Sequence, residues 1–228
     1  MRLDLHLHST ASVDGFSSPS MIVRFAMARG LSGVAVTDHN NISGVEAVRR
    51  AAPEGFIVIP GVEYSTDHGH ILALFCNEMA EDAARDSRGR FLFKDLIPFV
   101  KERNGLLIAA HPYRYKMYLS PKHPFGLSPF LLDNVDGLES INSRDLSRDQ
   151  NAWEQVQQAA QARGLFITGG SDGHFPMEIG GGYTEFPEGI GKTPEELRTA
   201  LLEKKGIPKG RPCRKIYRVF SKIWRKMS

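Results

Sequence analysis

Histidine, aspartate and glutamate recur in this chain at the ends of short apolar runs, where a strand would deliver them to one side of a fold. Six such segments are DLHLHS (Asp4 to Ser9), SVDG (Ser12 to Gly15), TDHN (Thr37 to Asn40), GVEYS (Gly61 to Ser65), AHPY (Ala110 to Tyr113) and SDGH (Ser171 to His174). A seventh, GHILALF, carries its histidine at the start of the run instead. Seven of the eight histidines (His6, His8, His39, His68, His70, His111 and His174) lie in or beside these segments. Neutral imidazole and carboxylate together form a ligand set for divalent metal ions. The pair His6 and His8 is spaced for that purpose, because side chains two apart on a strand share a face. So many candidate ligands point to more than one ion.

The elements that must position them alternate. Leu3 to His8 reads as a strand. Ser18 caps a helix with Pro19 at its first position, and Gly30 ends it. Gly33 to His39 is a short buried strand, followed by a helix around Gly44 to Ala52 and strands Phe56 to Glu63 and His70 to Phe75. Asp82 to Arg90 is a charged surface excursion, and a helix near Asp95 to Arg103 leads into strand Leu106 to His111. The aperiodic stretch Tyr113 to Pro129 is long enough to be a functional loop. Strand Gly137 to Ile141, helix Asn151 to Arg163 and strand Leu165 to Thr168 follow. Thr193, Pro194 and Glu196 open a last helix with a capping box, and Gly206 closes it.

Alternation of this kind predicts a parallel sheet closed by helices. About seven strands in a chain of this length suit a small, distorted (β/α)7 barrel. The site of such a barrel lies at the C-terminal mouth of the strands, and His6, His8, His39, Glu63, His111, Asp172 and His174 all fall there.

The bulk composition agrees with a cytoplasmic enzyme. With 228 residues, 41% hydrophobic and 24% charged, the chain has the size of one domain with a full core. Cys76 and Cys213 lie far apart and suggest neither a disulfide framework nor a metal clip. The N-terminus has no apolar segment of the signal-peptide kind, and no window approaches the roughly 18 unbroken apolar residues of a membrane span. The net charge of +3 is unevenly spread. Eight basic residues lie from Lys209 onward with no acidic ones, leaving 21 of the 29 Lys and Arg against all 26 acidic residues, so residues 1–208 carry −5. The expected division is therefore a barrel over residues 1–208 and a basic tail over residues 209–228.

In order and spacing, DLHLHS…SVDG, TDHN, PGVEYS, HILALF, AHP and SDGH resemble the motif series of the PHP (polymerase and histidinol phosphatase) superfamily. The resemblance covers roughly residues 1–210. It implies a distorted seven-stranded (β/α) barrel, two or three divalent ions (zinc, manganese, iron or magnesium) and phosphoesterase activity. Carried over position by position, it implies nine ligands. His6 and His8 would hold one ion, with Glu63 bridging and Asp172 contributing. Asp14, His39 and His174 would hold a second, and His70 and His111 with Glu63 a third. Some family members have histidine at the position of Asp14, where carboxylate is an acceptable substitute. Both His68 and His70 could ligate; the apolar run after His70 matches the family pattern and selects it. Asp4 and Asp38 read as supporting hydrogen-bonding carboxylates.

Clustered divalent ions generate a bridging hydroxide near neutral pH and stabilise a leaving alkoxide, so Glu63, Asp172 and His174 are the expected catalytic group. The general acid is left open between coordinated water and a site histidine. Arg114, directly after HPY, is the first candidate for gripping substrate phosphate, with Arg144 second and Lys116 third. Each is otherwise a solvated surface charge. Tyr113 and Tyr115 either stack on a ring or pack the loop, and His123 reads as a loop histidine.

The expected substrate is a phosphorylated small molecule or nucleotide, with a nucleic-acid end also suitable. A histidinol-phosphate-type phosphatase, an amidohydrolase-like enzyme and a non-catalytic metal-binding module of a nucleic-acid enzyme are the alternatives. In the tail, Ile216, Tyr217, Val219, Phe220, Ile223, Trp224 and Met227 recur at helical spacing among basic residues. This segment is expected either to pack on the barrel or to contact an anionic surface.

Overall fold

A computed structural model describes residues 1–112, 127–145 and 152–213. Arg114, Lys116, Tyr113, Tyr115, His123 and the tail stripe from Ile216 to Met227 lie outside the described residues. The elements run β1 (Arg2–Leu7), α1 (Pro19–Ala28), β2 (Gly33–Val36), α2 (Ser43–Ala51), β3 (Ile57–Thr66), β4 (Gly69–Leu74), α3 (Phe93–Glu102), β5 (Leu106–Ala109), α4 (Pro129–Leu132), β6 (Gly137–Asn142), α5 (Ala152–Arg163), β7 (Phe166–Gly170), β8 (Gly182–Glu185), α6 (Pro194–Leu202) and β9 (Ile207–Gly210). Local chemistry sets several of these boundaries. Ser18 accepts a hydrogen bond from the Met21 amide at 3.4 Å, and Pro19 opens α1. At α6 the Thr193 hydroxyl accepts from the Glu196 amide at 3.3 Å, while the Glu196 carboxylate accepts from the Thr193 amide at 3.1 Å.

The strands form one sheet in the order β7-β6-β5-β4-β3-β2-β1-β8-β9. The sheet curls into a nearly closed barrel. After β7 the chain hydrogen-bonds back to β1: the Asp172 amide donates to the His6 carbonyl at 2.8 Å and the His8 amide to the Gly173 carbonyl at 2.9 Å.

Two features depart from a uniformly parallel sheet. The β3/β4 and β4/β5 pairs are antiparallel, because β3 and β4 are joined by a tight hairpin. Strands β8 and β9 are also antiparallel additions beside β1. Their sequences, GYTE and IPKG, lack the apolar alternation that marks a strand, and tertiary pairing makes them strands.

The core has three parts. One cluster draws Leu3, Leu5, Ala35, Ile59, Leu72, Ile108 and Phe166 from six different strands, which is possible only inside the barrel; Leu197, Ala200 and Leu201 of α6 join it. A second packs α1 and α2 against β1 and β2 through Ile22, Val23, Val45 and Val48. The third packs α3 and α5 on β3 to β6 through Phe93, Leu96, Val100 and Val156. Strand β1 contributes to both sides of the barrel wall: Leu3 and Leu5 belong to the interior cluster, whereas Leu7 lies with α1 outside. A register shift between Asp4 and Leu7 accounts for the change of parity. It lets apolar residues fill the barrel below and His6 and His8 face inward above.

Candidate metal centre

Each candidate ligand reaches the barrel mouth from the end of its strand. His6 lies at the end of β1 and His8 just after it, His39 follows β2, Glu63 lies on β3, His111 follows β5, and Asp172 and His174 follow β7. His70 is the exception in the sequence pattern, standing at the start of its apolar run. Strand β4 runs antiparallel to β3, so its first residues sit level with the end of β3, and Ser65 pairs with His70. Backbone strain helps to aim two of these groups. His111 has φ +29° and Asp172 φ +53°, left-handed conformations that cost of order 1–3 kcal/mol and concentrate at functional sites.

Glu63 is the hub, fully buried. Its Oε1 lies 2.7 Å from His70 Nδ1 and 3.0 Å from His111 Nε2. Its Oε2 faces His39 Nδ1 at 3.1 Å, His8 Nε2 at 3.2 Å and His6 Nε2 at 3.3 Å. Asp172 Oδ1 is 3.4 Å from His8 Nε2 and 3.9 Å from His6 Nε2. On the other side, Asp14 Oδ2 is 3.1 Å from His174 Nε2, and Asp14 Oδ1 is 3.8 Å from His39 Nε2. All nine candidate ligands are thus brought into one continuous cluster. His68, two residues from His70, turns away and packs against Phe93 and Phe130.

Among the described residues, donor atoms within 4.8 Å of one another form four overlapping groups. These are His6, His8 and Glu63; His6, His111 and Asp172; His39, Glu63 and His70; and His8, Asp14, His39 and His174. His111 therefore groups with His6 and Asp172, while His39 completes the set around His70 and Glu63. His39 stands between two groups.

The residues fit divalent cations. His6 Nε2, His8 Nε2, His39 Nδ1 and Glu63 Oε2 are buried with no hydrogen-bond partner among the described residues. Orphaned buried polar atoms are costly, and cations held in the two groups that share Glu63 would satisfy all four.

Titration favours the same occupant. Burial alone would raise the Glu63 carboxyl, but the facing imidazoles of His39, His70 and His6 hold it well below the usual range. Burial pushes His39 down to about 3 and His174 down to about 4, leaving both rings neutral. Burial also opposes charge on His8, yet Asp172 and Glu63 lift that ring to about 9, so in the absence of a cation it holds a proton.

A supporting layer had escaped the sequence reading. Glu139 of β6 accepts through Oε1 from His6 Nδ1 at 3.0 Å and through Oε2 from the His111 amide at 2.8 Å and Asn142 Nδ2 at 2.9 Å. The signal was present: a carboxylate at an inward position of a strand whose residues are otherwise buried. Asp4 accepts from the Gly180 amide at 2.8 Å and the Ser171 amide at 2.9 Å, and Asp38 accepts from the Ser9 hydroxyl at 2.7 Å. Both are the supporting carboxylates their positions suggested.

Arg144, the second candidate for a phosphate contact, lies against His174. It is buried at 6% exposure, with Nε donating to Glu178 at 2.9 Å and Nη1 lying 2.9 Å from His174 Nδ1. Glu178, absent from the sequence reading, supplies the counter-charge that allows burial, and also accepts from the His174 amide at 3.0 Å.

The family model for the PHP domain matches residues 4–203. The chain belongs to the PHP domain family. It is 35% identical over 155 residues to an uncharacterised protein of Methanocaldococcus jannaschii, covering 63% of this chain and 82% of that protein. It is 46% identical over 67 residues to a 5'-3' exoribonuclease of Haemophilus influenzae, covering 29% of this chain and 24% of the relative. A two-domain protein from Bacteroides vulgatus, described as containing a predicted PHP-like metal-dependent phosphoesterase, shares the fold with a TM-score of 0.72 at 19% identity, over 92% of this chain and 65% of that one. Among the described residues, no helix of this PHP protein is long and apolar enough to cross a membrane.

Proposed function

We propose that the protein is a metal-dependent hydrolase of phosphate esters whose substrate is a nucleotide or an oligonucleotide end. The observation that carries this reading is the convergence of His6, His8, Asp14, His39, Glu63, His70, His111, Asp172 and His174, with unpartnered donor atoms buried around Glu63. Membership of the PHP family supports phosphoester hydrolysis, and the match to an exoribonuclease favours a nucleotide over another metabolite. Two or three divalent ions, zinc, manganese, iron or magnesium, suit the mixed imidazole and carboxylate donors. When bound, such ions supply Lewis acidity toward phosphate and acidify water near neutral pH.

The chain's own groups divide the remaining work. Glu63 presents one oxygen to each side of the centre and so holds neighbouring positions in fixed relation. Asp172 and His174 present their donors beside His8 and Asp14, next to the reacting centre. His39 and His70, with side chains 14% and 27% exposed, mark the open side from which substrate approaches. Arg114 and Lys116, on the segment that follows His111, are the cations we assign to substrate phosphate. Arg144 supports His174 from below.

The test is turnover of p-nitrophenyl phosphate and of bis-p-nitrophenyl phosphate with Mn²⁺ and with EDTA. It is followed by 3'- or 5'-phosphorylated nucleotides, a 5'-phosphorylated oligonucleotide and histidinol phosphate. Metal-dependent release that favours the nucleotide substrates is expected, and the preferred ester separates monoesterase from diesterase. A folded, metal-loaded protein inert toward every one of these would end the reading, and a preference for histidinol phosphate would redirect it.

A further inference from the structure

The polar atoms on the two sides of this centre are satisfied in opposite ways. Around Glu63, His6 Nε2, His8 Nε2 and Glu63 Oε2 are buried without hydrogen-bond partners among the described residues, although they lie 3.2–3.3 Å apart. Behind His6 stands a carboxylate, Glu139, 3.0 Å from Nδ1. An ionised carboxylate only accepts, so Glu139 fixes a proton on Nδ1 and leaves Nε2 as the atom a cation would bind. A cation among these donors would complete this side.

Around Asp14, the groups complete one another. His174 Nε2 hydrogen-bonds Asp14 Oδ2 at 3.1 Å. The other ring nitrogen, Nδ1, lies 2.9 Å from Arg144 Nη1 and 2.9 Å from the Asp172 carbonyl. A guanidinium is always charged and only donates, whereas a carbonyl only accepts, so the two make opposite demands on Nδ1 and the ring stands beside a fixed positive charge. A cation entering between Asp14, His39 and His174 must displace the His174–Asp14 contact and stand near the Arg144 guanidinium. The His39 side chain is 14% exposed, whereas those of His6, His8, Glu63 and Asp172 are at most 1% exposed, so water competes there.

We infer that the cation positions are unequal. The position between His6, His8, Glu63 and Asp172 is filled tightly, and the one at Asp14, His39 and His174 is filled last and loosely. Glu139 and Arg144 are the positioning residues that set the difference. This inference rests on the nine residues acting as ligands. The loosely held ion makes full occupancy depend on free metal concentration, or on a phosphate that brings charge to the outer side.

Calorimetric titration of metal-stripped protein with Mn²⁺ tests it, together with elemental counting of Mn per chain after dialysis against graded chelator. Two affinity classes at least tenfold apart are expected, with the weaker lost first. His174→Ala should remove only the weak class. Glu139→Gln should weaken the tight class by roughly 10–100-fold, the usual effect of losing a supporting carboxylate. The double variant Arg144→Gln/Glu178→Gln, which removes the guanidinium without stranding its partner, should tighten the weak class by about tenfold. If that variant does not fold, the wild-type titration and His174→Ala still decide. A single affinity class, loss of the tight class in His174→Ala, or equal shifts of both classes in the Glu139 and Arg144 variants would overturn the inference. Absence of any Mn²⁺, Zn²⁺ or Fe²⁺ binding would instead remove the metal reading beneath it.

Discussion

The wall around Glu63 and the wall around Asp14 are built from the same residue types, yet they are organised differently. At the first, a fully buried carboxylate is shared by five imidazoles and backed by Glu139. At the second, a carboxylate and an imidazole hydrogen-bond each other, and a buried ion pair lies behind them. Identical ligands can therefore differ in what they offer a cation, because the groups behind them set the charge and hydrogen bonds that each ring meets. A donor set read without its supporting residues specifies chemistry but not affinity.

The comparison breaks most sharply at Glu63. Glu63→Gln removes the charge shared by both sides, and phosphoester turnover should fall by on the order of 10³-fold or more, the equivalent of losing several kcal/mol of metal-derived stabilisation. Steady-state assays against p-nitrophenyl esters measure this, and retention of more than a tenth of the activity would show that Glu63 is peripheral. The supporting pair comes next. Glu178→Gln removes a buried carboxylate that pairs with the Arg144 guanidinium, and should cost about 3–5 kcal/mol of stability by urea unfolding. A loss below ~1 kcal/mol would mean that Arg144 finds another partner.

A proton should also exchange for metal on the Glu63 side. His8 is lifted from its ordinary 6.5 to about 9, so its proton stabilises the metal-free protein below 6.5, and that contribution is lost as pH rises toward 9. A cation competes for the same lone pair. Affinity of the tight class should therefore rise by about tenfold per pH unit across that window. Calorimetry in buffers of different ionisation enthalpy would reveal the released proton, and pH-independent binding would contradict the assignment. The smallest effect is a control remote from both walls. Thr193→Ala deletes the α6 cap and should cost about 1 kcal/mol while leaving both metal classes unchanged.

Much of this arrangement was legible beforehand. The period-two spacing of His6 and His8, and the placement of His39, Glu63, His111 and Asp172 after apolar runs, followed from strand geometry alone. The reversed position of His70 was visible but unexplained until β4 proved antiparallel. The shift of register in β1 was hidden, because LDLHLH alternates without interruption and the bulge arises from pairing with β2. Strands β8 and β9 were hidden as well, since neighbours across the sheet, not their own residues, make them strands.

By itself, the amino-acid sequence determined the inventory of donors, their delivery by strand ends, the capping of α1 and α6, and the alternating architecture. These are properties of local spacing and side-chain chemistry. Only the tertiary structure decided which donors face which, that Glu139 stands behind His6, and that Arg144 is buried with Glu178. Those relations join residues distant in the chain, and burial and long-range pairing, absent from any local pattern, set them.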